Sequence, residues 1–284
     1  MPSSVDTKNA AGVANYVKDR FQSMFPGEAP ELLNPLFTDI SNLFMGGHPD
    51  YQKNDLGYHD FEHTLQATVC MTQLLEGRHL AGAEPHLNAR QTELAIASAL
   101  LHDTGYLKQK SDLTGTGAKY TFIHVLRSCA FAASYLPTLG VSEYEIEGVL
   151  GAIRCTGPTS KISELHFHDT LERTIGCALS TADYLGQMAA ADYPDELDIL
   201  YREFIESYEF FRTKPEKRMF KTAEDMKSKT PDFWRKIVLP KLENDFRAVY
   251  RFLASPYPHG PNRYIEAVEA NISKIEQSLA RVSA

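Results

Sequence analysis

The chain is short of the features that mark several common protein classes. It has four cysteines, Cys70, Cys129, Cys155 and Cys177, which stand among apolar residues with no C-x-x-C spacing. That argues against a disulfide framework and predicts buried, reduced thiols. Positive charge is also scarce, since 29 Lys and Arg against 37 Asp and Glu leave a net charge of -8. Nucleic-acid and anionic-membrane surfaces depend on a cationic excess that displaces counterions, so no such surface is expected. A small anionic substrate remains compatible, provided that a local positive centre such as a metal receives it.

Long hydrophobic runs are missing as well. No window approaches the roughly 18 uncharged apolar residues that a membrane span requires. The opening Met1-Pro2-Ser3-Ser4-Val5-Asp6 has no basic segment leading into an apolar one, so no secretory signal is read there and a cytoplasmic protein is expected. Sustained strand alternation, heptads, repeat periods and long linkers are absent too. The 284 residues therefore read as one all-α unit, 1–284, with a motif core at about residues 42–187 and appended terminal helices.

What the sequence does have is helical period. Val13, Val17, Phe21 and Met24 define a first helix that Pro26-Gly27 interrupts, and Leu32 to Phe44 defines a second that Gly46-Gly47 should stop. Tyr58-His59-Asp60-Phe61-Glu62-His63 is expected on the first turns of a helix ending near Gly77. Asn88 with Gln91, Ser142 with Glu145 and Asp169 with Glu172 are candidate capping pairs for three further helices. Ser111 to Gly117 reads as a mobile loop, followed by a helix through Tyr120, His124 and Leu136. Gly157-Pro158 should end the helix containing Ile153. Pro194 should open a helix, Thr230-Pro231 another through Trp234 and Phe246, and a last helix is expected over about residues 262–281.

Chemistry concentrates at three places. On a helix, His59 and His63, four residues apart, would share one face and address one site. His102-Asp103 ends a small-residue, apolar stretch, where a buried carboxylate needs a charge partner. Asp183 lies in the equally apolar Ala178 to Gly186. Two imidazoles and two carboxylates make a nitrogen and oxygen donor set suited to Zn, Mn, Fe, Ni or Mg.

His63, His102-Asp103 and Asp183 resemble the H…HD…D ligands of the HD-domain metal-dependent phosphohydrolases, and the Tyr58-His59 lead-in is most similar to their cyclic-nucleotide phosphodiesterase branch. The resemblance implies an all-α HD-domain, phosphodiesterase-like helical bundle with one or two divalent ions. His63, His102, Asp103 and Asp183 would be ligands, Asp103 would bridge to a second ion, and His59 would act as the proton donor. His124, Lys108 and Gln187 are candidates for a second metal or the substrate. Tyr106 stands where the cyclic-nucleotide enzymes carry another histidine, and no glutamine is followed four residues later by phenylalanine in the C-terminal half. Both departures argue against cyclic AMP or cyclic GMP.

The expected activity is metal-dependent hydrolysis of a small phosphorylated substrate, with nucleotides and phosphodiesters among the candidates. A hydroxide generated beside Asp103 would attack phosphorus while His59 protonates the leaving oxygen. The rival readings are an HD-fold di-iron oxygenase and a catalytically reduced metal-binding regulatory module. No pattern in the sequence fixes an oligomeric state.

Overall fold

The computed structural model describes residues 5–157 and 160–282. Pro158 of the expected Gly157-Pro158 stop lies outside them, as do the first four residues of the N-terminal stretch. Among the described residues there are ten α-helices and no strand. The expected all-helical class is therefore observed. Among the described residues no helix is long and apolar enough to cross a membrane.

Local chemistry accounts for most boundaries. Asn9 caps α1 (Ala10–Met24), and its Val13, Val17 and Phe21 face the core. Helix α2 (Leu33–Phe44) lays Leu36, Phe37, Ile40 and Leu43 inward. Helix α4 (Ala89–Leu101) and helix α6 (Glu143–Arg154) begin in complete capping boxes, Asn88 with Gln91 and Ser142 with Glu145. Asp169 caps α7 (Thr170–Met188) by accepting from the amide of Glu172. Each such cap satisfies backbone donors that the first helical turn leaves unpaired.

Helix α3 (Phe61–Leu80) departs from expectation at both ends. Asp60 is its N-cap, accepting from the amide of His63, so His59 precedes the helix instead of riding on its first turn. At the far end Gly77 does not stop the helix. A β-carbon there would collide with the carbonyl of Phe252, so this glycine serves close approach to the C-terminal region.

Helices α3 and α7 pack along one another at the centre, with α1, α4 and α6 around them. Helix α5 (His124–Tyr135) rests on the short turn Thr104–Tyr106, and Tyr120 belongs to a preceding 3-10 turn. Pro194 sits in the first turn of α8 (Tyr193–Phe210), as expected.

Pro231, by contrast, opens nothing. It lies inside α9 (Ala223–Phe233), whose N-cap is Thr222, and the chain continues through wide turns at Trp234–Val238 and Lys241–Asp245. Pro240, which cannot donate a ladder bond, separates the two wide turns. Helix α10 (Arg263–Val282) then closes on α7, α8 and α9. One continuous apolar core runs from Val13 to Ile275 and holds all four cysteines, each a free thiol.

Candidate metal centre

The centre forms where the end of α4 meets the first turn of α3 and the middle of α7. His63 Nε2 lies 3.1 Å from Asp103 Oδ2 and 3.3 Å from Asp183 Oδ1. His102 Nε2 lies 3.4 Å and 3.6 Å from the same two oxygens. His63, His102 and Asp103 are buried and present ligand atoms within 4.8 Å of one another, a group that could hold a metal ion. Asp183 approaches from the side and is the most exposed of the four, at 13% of its side chain.

The donor atoms are aimed by ordinary hydrogen bonds. His102 Nδ1 lies 2.7 Å from the carbonyl of Ala99, one turn earlier in α4. That bond calls for a proton on Nδ1 and leaves the lone pair of Nε2 facing the centre. Neither His102 Nε2 nor Asp103 Oδ2 has a hydrogen-bond partner, although both are buried. A lone pair and an ionised oxygen facing each other at 3.4 Å repel unless a proton or a metal ion stands between them. The donor set thus fits a divalent metal.

The protonation equilibria point the same way. Burial by itself would depress His63, but the adjoining carboxylates of Asp103 and Asp183 raise it to about 10. Burial likewise opposes the ionised aspartates, yet His102 and His63 hold Asp103 and Asp183 well below the ordinary carboxylate range. In the metal-free chain a proton therefore occupies the place that a cation would take.

His124 stands on the other side of Asp103, its Nε2 3.6 Å from Oδ1. Its Nδ1 bonds to the carbonyl of Thr121 at 2.7 Å, and burial keeps the ring below its ordinary pKa, favouring the neutral imidazole. Position is set by Gly105, which touches the backbone of α5 so closely that any side chain would strike the carbonyl of His124. Asp103 thus has one oxygen toward His63 and His102 and the other toward His124.

His59 remains beside the centre despite lying outside the helix, with its ring 5.4 Å from that of His63. Its Nδ1 is 2.6 Å from Oε2 of Glu203, a buried residue of α8 that also accepts from the amide of Tyr58. Tyr106 fills the space between the two outer histidines, stacking on His59 at 4.4 Å and on His124 at 4.5 Å. Gln187 donates to Asp183 Oδ1 at 3.2 Å and accepts from the Tyr58 hydroxyl at 2.6 Å. It braces a candidate ligand.

Lys108 is not part of this centre. Its ammonium donates to the carbonyl of Gly115 and pairs with Asp55 at 3.1 Å. The segment 111–117, expected to be mobile, is tied down in the same clasp. Lys119 pairs with Asp112 and donates to the carbonyl of Thr114, while Glu206 accepts from the amide and hydroxyl of Thr116. Arg127 donates to the carbonyls of Gly105 and Leu107 and lies over the Tyr120 ring.

Glu203 is the functional candidate that sequence reading missed. Its signal was an acid one turn after Ile199 and Leu200 on α8, but nothing local links it to His59, 144 positions away. A family model described as Npun_R2479-like matches residues 49–278, which include every residue of the centre. No curated protein matches the chain.

Proposed function

We propose that this chain, which belongs to the Npun_R2479-like family, is a metal-dependent phosphohydrolase that cleaves the ester bond of a small phosphorylated substrate. His63, His102, Asp103 and Asp183 would hold one divalent ion, with Asp103 and His124 offering donors to a second. The observation that carries this reading is the buried meeting of His102 Nε2 and Asp103 Oδ2, neither of which makes a hydrogen bond. It is supported by a partly exposed histidine beside the centre, already oriented by a carboxylate, and by the resemblance to the HD-domain phosphohydrolases. A divalent cation in such a site neutralises charge on phosphoryl oxygens and acidifies water at neutral pH.

The chain's own residues supply the rest. Glu203 accepts the Nδ1 proton of His59, which leaves Nε2 as the atom that delivers a proton to the departing oxygen. The face of Tyr106 limits tilting of that ring. Gln187, held by the Tyr58 hydroxyl, keeps Asp183 turned toward the two histidines. Tyr106 occupies the room between His59 and His124 with an apolar ring, so the third histidine comes from α5 instead of the turn.

The test is a metal-by-substrate screen over Zn, Mn, Fe, Ni and Mg, with nucleotides, phosphomonoesters and phosphodiesters, run with metal analysis on the same samples. Hydrolysis that follows metal content and falls in His59→Ala is the expected result. A coupled di-iron spectroscopic signal without phosphatase activity would replace this reading with the oxidative one. A loaded but inert protein would favour a regulatory module.

A further inference from the structure

The loop that follows α8 carries a charge opposite to that of the whole chain. From Arg212 to Lys221 there are five cations, Arg212, Lys214, Lys217, Arg218 and Lys221, against the single acid Glu216, while the chain has a net charge of -8. Arg212, Lys214 and Lys217 are exposed and form no salt bridge among the described residues. Lys221, also exposed, acts on Asp225, which is already paired with Lys229. Arg218 donates to the carbonyl of Thr213 and lies over the Tyr208 ring. The backbone holds this loop in a defined shape. Helix α8 closes with the amide of Thr213 donating to the carbonyl of Tyr208 and that of Arg212 to Glu209, a closure that calls for a left-handed residue, usually glycine. Here that residue is Arg212, at φ 51°. The loop then folds back, and the amide of Met219 donates to the Tyr208 hydroxyl.

Large apolar side chains stand exposed beside these cations. Phe210 is 50% exposed, Phe211 40% and Met219 53%. Phe122, 44% exposed, joins them, its ring 5.7 Å from that of Phe211 and 5.6 Å from that of Tyr208. Leu113, also exposed, belongs to the clasp whose Lys119 lies over the Phe210 ring at 5.9 Å. The end of α8, the basic loop and the clasp thus present one face that is both apolar and cationic. Scattered apolar residues on a surface need no partner, but a contiguous group rimmed by charge marks a contact.

The charge pattern selects the occupant. A second copy docked through the same face would set one basic loop against the other. A single-stranded nucleic acid asks for a cationic groove with ring faces along it, whereas these cations are confined to one loop bordered by the exposed Glu209 and Glu224, and Leu113 and Met219 offer no face on which a base can stack. An anionic bilayer uses both features at once, since lysine and arginine meet the headgroups while neighbouring apolar side chains enter the boundary with the acyl chains. We propose that this face docks on an anionic lipid surface, with Phe210, Phe211 and Met219 entering the interface and Arg212, Lys214, Lys217 and Lys221 against the headgroups. The inference is independent of the hydrolase reading. Helix α8 also carries Glu203, the partner of His59, two turns before Phe210, so the docked face adjoins the candidate centre.

The test is flotation of the full chain with vesicles of phosphatidylcholine alone and of phosphatidylcholine with about a third phosphatidylserine. Flotation with the anionic vesicles only is expected, weakening at least tenfold as salt rises from about 0.05 to about 0.5 M. Replacing Lys214, Lys217 and Lys221 together by Gln should lower partition about a hundredfold, at about fivefold per cation. Phe210→Ser/Phe211→Ser keeps every charge and should still lose about tenfold or more, which separates insertion from simple adsorption. Thermal unfolding confirms that both variants fold. Flotation with neither vesicle, equal flotation with both, or a serine variant that floats like the wild type would overturn the proposal. Binding of a short single-stranded oligonucleotide without flotation would make the loop a nucleic-acid contact instead. A dimer in sedimentation that the serine variant dissolves, again without flotation, would make the face an interface between copies.

Discussion

Two polar assemblies lie on either side of the corner at Gly105, and they differ in how completely their charges are matched. In the clasp around residues 108–119, Lys108 meets Asp55 and the carbonyl of Gly115, Lys119 meets Asp112, and Glu206 receives both donors of Thr116. In the centre, His102 Nε2 and Asp103 Oδ2 are buried and neither makes a hydrogen bond, and the charges crowd around them at 3.1 to 3.6 Å. Buried charges that answer one another hold a loop in place. Those that do not answer one another require something from outside, and the difference separates scaffold from site more clearly than residue type does.

The comparison is broken most severely at the candidate ligands. Asp103→Ala should reduce bound metal to less than about a tenth of the wild-type content, measured by elemental analysis after dialysis, and abolish hydrolysis, because it removes donors facing both His102 and His124. Chelation of the wild type should lower the unfolding temperature. Metal at about 100 times its Kd adds roughly 2.7 kcal/mol, which for a chain of this size corresponds to a shift of about 4–5 °C by calorimetry.

The unmatched centre also predicts a pH dependence in the chelated protein. His63 is raised in the folded chain to about 10, so the stability it contributes is fully present below about 6.5, its unfolded value, and fades as pH rises through 10. Metal must displace that proton, so affinity should increase over the same interval. Urea titrations in EDTA at pH 6 and pH 9.5 check the first point, and a pH series of metal binding checks the second. Stability that rises between those two pH values would contradict the assignment.

Next in size come the residues beside the centre that leave its ligands intact. His59→Ala should lower kcat by about 10²- to 10⁴-fold, the usual contribution of a positioned general acid. Glu203→Gln should lower it less, by about tenfold to a hundredfold, with metal content unaltered. Equal losses in turnover and metal would instead make both residues structural. The smallest effect belongs to the clasp: Lys119→Met should cost about 1–3 kcal/mol of stability in denaturant titration by leaving Asp112 without its cation, while metal content stays at wild-type level. If metal were lost too, the clasp and the centre would be one assembly.

Much of this arrangement was legible along the chain because it is local. The capping boxes at Asn88 and Ser142, the cap at Asp169 and the core faces of α1 and α2 follow from patterns spanning one or two turns. Local reading failed where a distant neighbour decided the outcome. Gly77 looked like a stop, yet it is a contact with Phe252 inside a continuing helix. The segment 111–117 had a loop's composition, but Asp55 and Glu206, far away in sequence, pin it. Pro231 carried a helix-opening signal that Thr222 had already pre-empted.

For the centre itself, the sequence alone marked His102, Asp103 and Asp183 as costly to bury, each in or beside an apolar helix where an isolated charge is unstable, and His63 by its spacing from His59 and its resemblance to the H…HD…D pattern. That much follows from side-chain chemistry and helical period, both of which act over a few residues. Only the tertiary structure decided that their donor atoms meet, that His59 leaves the helix to pair with Glu203, and that Lys108 turns away to hold a loop. Packing of α3 against α7 and of the Gly105 corner against α5 brings together groups separated by many tens of residues. Distances of that kind are set by the shape of the whole core.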